Sequence, residues 1–138
     1  MNLTSDLIRD VLLCVKNHLR VDPDDTGLYI EPVFWKDVFL DDSLCRKYDI
    51  DDIKYCLYKL SQEQFIEASI TYGGNYPQSI EIQDISFKGH ELLNTIKDDT
   101  IWNYLKSKLH AGASMSISTF YEISQSLVIS WAKNKLGL

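Results

Sequence analysis

Hydrophobic residues recur every three or four positions in two long stretches of the first part of the chain. The first stretch covers residues 7–19 and follows Thr4 and Ser5, either of which can cap a helix. The second covers residues 50–60 and follows Asp49, another candidate cap. This spacing places the apolar side chains on one face of an α-helix. The pattern therefore predicts two amphipathic helices.

The segment between these helices, residues 21–48, has no comparable period. It begins with a run of turn-forming Asp, Pro and Gly residues, so we expect the first helix to end near Arg20. Extended backbone is expected at residues 29–33, because Pro32 disfavours helix in the residue before it. Short helical turns follow, and the last of them, residues 44–47, is expected to be capped by the segment Asp41-Asp42-Ser43. The aromatic side chains here are expected to cover the core rather than to bind a ligand.

After residue 64 the period of the pattern changes to two. Residues 65–72 alternate in polarity and are rich in strand-forming side chains, and residues 79–83 predict a returning strand. Gly73–Pro77 is the expected turn between them. The order helix, helix, helix, hairpin is typical of a winged helix-turn-helix.

Further helices are predicted after the hairpin. Ser86 can cap the first of them, and Asp98 and Asp99 end it and cap the next. We therefore predict an α+β fold that is mostly α. It comprises a winged helix-turn-helix of three helices plus a β-hairpin over residues 1–96. A C-terminal helical extension over residues 97–138 packs on it to give one compact unit.

The last predicted helix has a wide apolar face and few charges. The candidate association residues on this face are Ile117, Phe120, Tyr121, Leu127 and Trp131. Such a surface either pairs with a second copy, commonly by two-fold symmetry, or packs back on its own chain. The sequence slightly favours a homodimer through this helix. The alternative is a closed monomer in which the helix packs on residues 100–109 or on the first helix.

The composition indicates a folded single domain. The chain has 138 residues, of which 45% are hydrophobic, enough to bury a core. It lacks a run of about 20 apolar residues, the length that a membrane span requires. Its first residues lack the basic region of a signal peptide. A cytoplasmic protein without membrane contact is therefore expected.

The formal net charge of −6 is unevenly distributed along the chain. Residues 1–96 carry 17 acidic and 9 basic side chains, a net charge of −8. Residues 97–138 carry 3 acidic and 5 basic side chains, a net charge of +2. An acidic main domain repels phosphate backbones at long range, which disfavours non-specific binding of nucleic acid.

Few residues suggest metal binding or catalysis. Three cysteines without a CxxC pair argue against a disulfide framework. Cys14 and His18 have the four-residue spacing of two metal ligands on a helix, but Cys14 lies in the apolar stripe and no clustered second pair completes a site. His90 and Asp98 invite an acid–base interpretation, yet no nucleophile or phosphate-binding loop accompanies them. We therefore predict no enzymatic activity, no metal and no cofactor.

Residues 85–102, ISFKGHELLNTIKDDTIW, resemble the signature of an uncharacterised bacterial and prophage family catalogued as domain of unknown function 2513. Residues 6–9, 53–57 and 133–138 resemble the family as well, although position 56 is Cys where His is expected in relatives. The resemblance implies a winged-helix-like fold and a phage or prophage setting. It implies no established activity.

In a winged helix, the helix predicted at residues 50–62 would contact DNA. The candidate partner or DNA contacts in and around this helix are Arg46, Lys47, Asp51, Lys54, Tyr55, Tyr58, Lys59 and Tyr76. The helix begins with acidic residues and the hairpin tip, residues 73–78, has no basic residue, so few phosphate contacts are available. The sequence favours a non-enzymatic protein that engages a protein partner through an acidic and aromatic surface, such as a phage factor acting on a host component. A sequence-specific DNA-binding regulator is the alternative.

Overall fold

The computed structural model describes residues 2–24, 26–110 and 112–137 as an α+β fold that is mostly helical, in agreement with the predicted class. The helices are α1 (Ser5–His18), α2 (Trp35–Phe39), α3 (Asp42–Cys45), α4 (Ile50–Gln62), α5 (Phe87–Ile96), α6 (Asp99–Lys108) and α7 (Ile117–Leu136). The strands are β1 (Arg20–Val21), β2 (Ile30–Glu31), β3 (Val33–Phe34), β4 (Ile66–Gly73) and β5 (Tyr76–Ile85). Within these described residues, every helix is too short or too polar to cross a membrane.

The predicted hairpin is present as the antiparallel pair β4–β5. Its turn is shorter than the Gly73–Pro77 segment expected from the sequence, since Tyr76 and Pro77 already belong to β5. Gly74 has a φ of +70°. A glycine in that conformation allows a two-residue turn whose twist matches the strands.

A short strand that the sequence pattern did not predict completes this sheet. Strand β3 pairs antiparallel with β5 through Val33 opposite Ile82, which gives the strand order β3-β5-β4. Strands β1 and β2 form a separate antiparallel pair, with Arg20 opposite Glu31. Residues 22–29 connect these two strands, and the part of the predicted turn at Asp25 lies outside the described residues. The extended backbone expected before and after Pro32 is confirmed by β2 and β3.

Helices α1 and α4 are the two amphipathic helices that the sequence predicted. They pack with the sheet and α5 around one hydrophobic core. Their fully buried side chains are Leu7, Ile8, Val11, Leu12, Val15, Ile53, Leu57 and Leu60. Ile50 departs from the predicted stripe, because it lies in the first turn of α4 and remains 38% exposed. Helix α1 ends at His18, slightly before the expected Arg20, since the chain enters β1 there.

Polar side chains cap several of the helices as expected. The hydroxyl of Thr4 accepts a hydrogen bond from the backbone N–H of Leu7, and the Asp98 carboxylate accepts one from Ile101. Asp49 departs from the expectation, because its side chain makes no capping hydrogen bond with the described residues of α4. The negative charges of Asp51 and Asp52 stabilise the positive end of the helix dipole instead.

Helix α5 begins in close contact with the junction between α4 and β4. The Ser86 hydroxyl donates to the carbonyl of Gln64 at 2.6 Å and accepts from the N–H of Gly89 at 3.0 Å. The Ser86 N–H donates to the carbonyl of Phe65 at 3.2 Å. A Cβ atom at Gly89 would overlap that Phe65 carbonyl and would lie 2.7 Å from the Cγ2 atom of Ile85. Only glycine fits at this position.

Two of the contacts that tie the C-terminal helices to the rest of the chain lie at and just before the start of α7. The N–H of Met115 donates to the carbonyl of Leu3 at 3.0 Å. At the start of α7, both the N–H and the hydroxyl of Ser118 donate to the Glu63 carboxylate, at 3.2 and 2.7 Å. The division into residues 1–96 and 97–138 remains a prediction.

We predict that Gly89→Ala destabilises the protein by at least about 2 kcal/mol, because the added methyl group has no space and the backbone must shift. Urea denaturation measures the change in the free energy of unfolding. Gly74→Ala is the matched control: its surroundings are open, and only its positive φ costs about 1–2 kcal/mol. If Gly89→Ala loses no more stability than Gly74→Ala, helix α5 can move away from Phe65 and the prediction is contradicted.

We also predict that Trp102→Ala costs about 3–5 kcal/mol, the usual loss when a large buried side chain is removed. Trp102 is 5% exposed. Its ring lies edge-on to Phe120 at 6.3 Å and beneath the Arg9 guanidinium at 4.9 Å. Chemical denaturation tests this, with Phe87→Ala as the control, because the Phe87 side chain is 83% exposed. A loss below about 1 kcal/mol would contradict a core role for Trp102.

Candidate functional site

Five of the eight predicted contact residues line one cavity of about 430 Å³ between α4 and the start of β5. These five are Asp51, Lys54, Tyr55, Tyr58 and Tyr76. Trp35 and Pro77 complete the lining and were not predicted as contacts. We call these seven residues the aromatic cleft. The sequence pattern had assigned Trp35 to the covering of the core, but the side chain also faces this cavity.

The period of α4 explains why these side chains meet. Asp51, Lys54, Tyr55 and Tyr58 recur at three- and four-residue spacing, which places them on one face of the helix. The opposite face is buried in the core and fixes the rotation of α4. Tyr76 reaches the cleft from β5, where it is 64% exposed. Because the apolar face of α4 is buried, its other face directs Tyr55 and Tyr58 towards the cleft.

Lys54 is held against the wall of the cleft by two aromatic rings of α2. Its Nζ atom lies 4.8 Å from the ring centroid of Phe39 and 5.8 Å from that of Trp35. These two rings pack edge to face at 5.7 Å. An ammonium group over aromatic faces is attracted by their quadrupoles, and its hydrocarbon stem covers apolar surface. Lys54 therefore belongs to the wall rather than to a free basic patch.

The hydroxyl group of Tyr58 is fixed by its neighbours. It accepts a hydrogen bond from Nε2 of Gln62 at 2.8 Å and lies 3.4 Å from the hydroxyl of Tyr72 on β4. This contact with Tyr58 raises the pKa of Tyr72 above its usual value. Helix α4 and the hairpin are thus joined by polar contacts at the edge of the cleft, while the ring of Tyr58 lines the cleft itself.

An acidic depression of about 640 Å³ adjoins the cleft at the N-terminus of α4. Its lining residues are Cys45, Tyr48, Asp49, Ile50, Asp51 and Asp52. Asp51 belongs to both surfaces, so the aromatic cleft and the acidic depression are continuous. The sequence predicted an acidic and aromatic surface, and the structure brings these two kinds of side chain together.

The remaining predicted contacts, Arg46, Lys47 and Lys59, lie outside the cleft. Nη2 of Arg46 is 3.8 Å from an Asp42 oxygen, and Nζ of Lys47 is 3.0 Å from an Asp10 oxygen. Lys59 donates to the side-chain oxygen of Gln62 at 3.0 Å. Each of these cations has a partner within the chain. They do not form a basic patch with Lys54.

Asp10 also anchors the segment before α4. It accepts a hydrogen bond from the hydroxyl of Tyr48 at 2.6 Å, besides its ion pair with Lys47. Burial and this hydrogen bond both raise the pKa of Tyr48 well above its usual range. The tyrosine therefore stays protonated and fixes the start of α4 against α1.

The first three residues of the predicted association face on α7 pack inside the chain, so the prediction was wrong for them. Ile117 and Phe120 are fully buried inside the chain, because the N-terminal half of α7 packs on α5 and α6. Tyr121 is partly buried against the ring of Phe65 at 5.5 Å and donates a hydrogen bond to Glu91 at 3.2 Å. This part of α7 follows the alternative in which the helix packs back on its own chain. Leu127 and Trp131 keep partly exposed side chains.

The acid–base candidates have structural partners. Asp98 caps α6, and Asp99 forms an ion pair with Arg9 at 3.1 Å, while His90 is exposed on α5. The ligand atoms of Cys14, His18 and Asp41 do converge, near the C-terminus of α1.

Comparison with known proteins identifies the family. The family model described as "Hypothetical protein (DUF2513)" matches residues 2–116. The chain belongs to the DUF2513 family. The DUF2513 match ends at the residue before α7 begins, so the closing residues 133–138 that resemble the family lie beyond it.

An uncharacterised protein of Haemophilus influenzae is similar to this DUF2513 protein. It is 28% identical over 82 residues, which cover 59% of this chain and 69% of the relative. No solved structure matches the chain. These findings confirm the family resemblance, and they assign no activity to it.

Self-association through the second half of α7 stays a prediction. Leu127 and Trp131 of the predicted face are only partly buried, so apolar surface remains on this half of the helix after it has packed. We expect light scattering to detect dimers at micromolar concentrations. The double variant Leu127→Glu, Trp131→Glu should be monomeric, with Glu122→Ala as a control for a change on the other side of α7. A full-length chain that remains monomeric would contradict the prediction.

Proposed function

We propose that this protein is a non-enzymatic winged-helix protein that binds a partner protein through the aromatic cleft and the acidic depression. The observation that carries this proposal is the convergence of Trp35, Tyr55, Tyr58 and Tyr76 in one cavity with Asp51 at its edge. Clusters of aromatic residues in a pocket are typical of the energetically dominant parts of protein interfaces. A phage factor that acts on a host component is the setting in which we place this activity.

The order of the elements supports the winged-helix interpretation. Helix α1 is followed by the short pair β1–β2, then by β3, the short helices α2 and α3, α4 and the hairpin β4–β5. Strand β3 pairs with the free edge of β5. In this interpretation α4 is the recognition helix and the hairpin is the wing. The aromatic cleft then lies between the recognition helix and the wing, where a winged helix would meet its ligand.

The side chains of the cleft suggest the chemistry of the partner. Tyrosine rings and Pro77 form an apolar floor suited to an aromatic or aliphatic side chain. Asp49, Asp51 and Asp52 at the adjoining depression attract cations, and the net charge of −8 over residues 1–96 strengthens this attraction at long range. We therefore propose that the partner presents an apolar side chain next to Arg or Lys.

Duplex DNA is the alternative partner, and the presence of Lys54 and Lys59 on α4 is the observation in its favour. Both lysines contact aromatic rings of the chain itself: Lys54 those of α2, and Lys59 those of Tyr55 and Tyr58 at 5.5 and 5.8 Å. The wing tip has no basic residue, and Asp51 would face the phosphates. Because phosphate contacts supply most of the non-specific affinity for DNA, the charges favour a protein partner.

We predict that selection from a displayed random peptide library against the full chain enriches peptides with an aromatic or aliphatic residue beside Arg or Lys. Asp51→Lys and Tyr76→Ala should each weaken binding of a selected peptide about tenfold, equal to about 1.4 kcal/mol. The first change reverses the charge at the edge of the cleft, and the second removes an exposed ring. Fluorescence anisotropy with the labelled peptide measures both effects.

Matched controls separate the cleft from general effects of charge and aromatic content. Glu122→Lys makes the same charge change on α7, and Tyr29→Ala removes another exposed ring, so both should bind the peptide like the wild type. Enrichment of acidic peptides, or equal losses in the control variants, would contradict the proposal. In parallel, a labelled random duplex should show no micromolar binding at physiological salt. Tight binding that weakens steeply with salt would establish the DNA alternative instead.

A further inference from the structure

A cluster of three side chains with metal-binding chemistry lies where the end of α1 meets the start of α3, in a part of the molecule separate from the aromatic cleft. The Sγ atom of Cys14, a ring nitrogen of His18 and a carboxylate oxygen of Asp41 all lie within 4.8 Å of one another. The shortest of these distances joins Nε2 of His18 to Oδ2 of Asp41, at 2.8 Å.

The backbone holds these three residues in place. Cys14 and His18 are one turn apart on α1, so their side chains lie on the same face of the helix. Asp41 is the N-cap residue of α3, and its Oδ1 atom accepts hydrogen bonds from the N–H and the hydroxyl of Ser43, at 2.9 and 2.6 Å. Since Oδ1 is occupied in this way, Oδ2 is directed towards His18. Hydrogen bonds of this kind orient the carboxylate ligands of metal sites.

We propose that Cys14, His18 and Asp41 bind a zinc ion, with the fourth position taken by water. A thiolate, an imidazole and a carboxylate are the three kinds of protein ligand that zinc uses. Three protein ligands and one open position form a tetrahedral site of the kind that accepts a solvent molecule. The sequence predicted no metal because only two ligands were visible in it. The third, Asp41, is brought in by the fold.

The dimensions of the cluster suit a tetrahedral ion. Zinc bonds of about 2.0–2.3 Å require neighbouring ligand atoms to lie about 3.4–3.6 Å apart. Nε2 of His18 and Oδ2 of Asp41 are 2.8 Å apart, and all three ligand atoms lie within 4.8 Å of one another, a range that includes the required separation. Small side-chain rotations would bring the three atoms to it. The side chains of His18 and Asp41 are 32% and 28% exposed, so they have room to adjust.

An approach to the cluster is also present. A cavity of about 340 Å³ is lined by Cys14 and Asn17 of α1 and by Ser43 and Leu44 of α3, among other residues. Cys14 is therefore the member of the cluster that the cavity adjoins. His18 and Asp41 do not line the cavity, but their side chains are 32% and 28% exposed, so solvent reaches them directly.

The competing explanation is that the same residues form only a polar clamp without metal. In that state Asp41 pairs with His18, and burial, more than the nearby carboxylate, raises the pKa of the Cys14 thiol to about 12. The thiol then stays protonated at neutral pH. Zinc binding releases that proton from the sulfur to water, and a lone pair of the resulting thiolate forms the Zn–S bond. The hydrogen bond between His18 and Asp41 is then replaced by bonds from both side chains to the ion. The two explanations differ in whether the chain binds metal at all.

Cobalt titration of the full-length, chelator-treated and reduced protein tests the proposal. We expect one equivalent of Co²⁺ to produce thiolate-to-cobalt charge-transfer absorption together with the visible bands of a tetrahedral site, and Zn²⁺ to abolish both. Cys14→Ser should lose the charge-transfer absorption. The matched control Cys45→Ser should keep it, because Cys45 lies outside the cluster.

His18→Gln keeps the test valid if Cys14→Ser fails to fold, since the His18 side chain is partly exposed. We expect it to lower the zinc affinity at least tenfold in competition with a chromogenic chelator, and Asp41→Asn, which retains a good helix cap, to do the same. Zinc should raise the melting temperature of the wild type and not that of His18→Gln. Absence of the cobalt spectrum, equal zinc affinity in wild type and His18→Gln, or loss of the absorption in Cys45→Ser would overturn the proposal.

Discussion

The close approach of α5 to the carbonyl of Phe65 is the contact on which the rest of the structure depends. Phe65 is fully buried and follows Gln64, whose φ of +65° turns the chain from α4 into β4. Ser86 and Gly89 bring α5 onto this turn, because a hydroxyl satisfies the free backbone groups and the missing side chain leaves space. Ile66 pairs with Ile85 beside it, so the same contact closes the base of the hairpin.

This joint connects the C-terminal helices to the two elements that form the aromatic cleft. On one side of it, α5 supports α6 and α7 and contributes Leu92, Leu93 and Ile96 to the core. On the other side, it fixes α4 relative to the hairpin, and these two elements carry Tyr58 and Tyr76. A cavity between two elements keeps its shape only if their relative position is fixed. The shape of the aromatic cleft therefore depends on contacts at the other end of the hairpin, at Phe65 and Ser86.

The long helices and the hairpin were predictable from the sequence. The short elements and the packing of α7 were not, because they depend on contacts with distant parts of the chain. The period of an amphipathic helix shows which of its side chains face outward, which is why the four cleft residues on α4 could be identified. Trp35 belongs to a five-residue helix, which is too short to show such a period. Pro77 was assigned to the turn of the hairpin, but it lies in β5. Strand β3 exists because Val33 pairs with Ile82, and a two-residue strand gives no local signal of that partner. For α7, the period revealed an apolar face but not that half of it packs on its own chain.

The short segment from α2 to α3 connects the two surfaces to which we assign binding. Helices of five and four residues cannot be stable alone, because forming the first turn costs more than one hydrogen bond returns. The segment is held instead by the buried side chains of Val38 and Leu44 and by the contact of Asp41 with His18. Its first residue, Trp35, is a wall of the aromatic cleft. Asp41, which anchors this segment to α1, therefore also helps to position the ring of Trp35 in the cleft. The proposed zinc ligands and the aromatic cleft nevertheless share no residue.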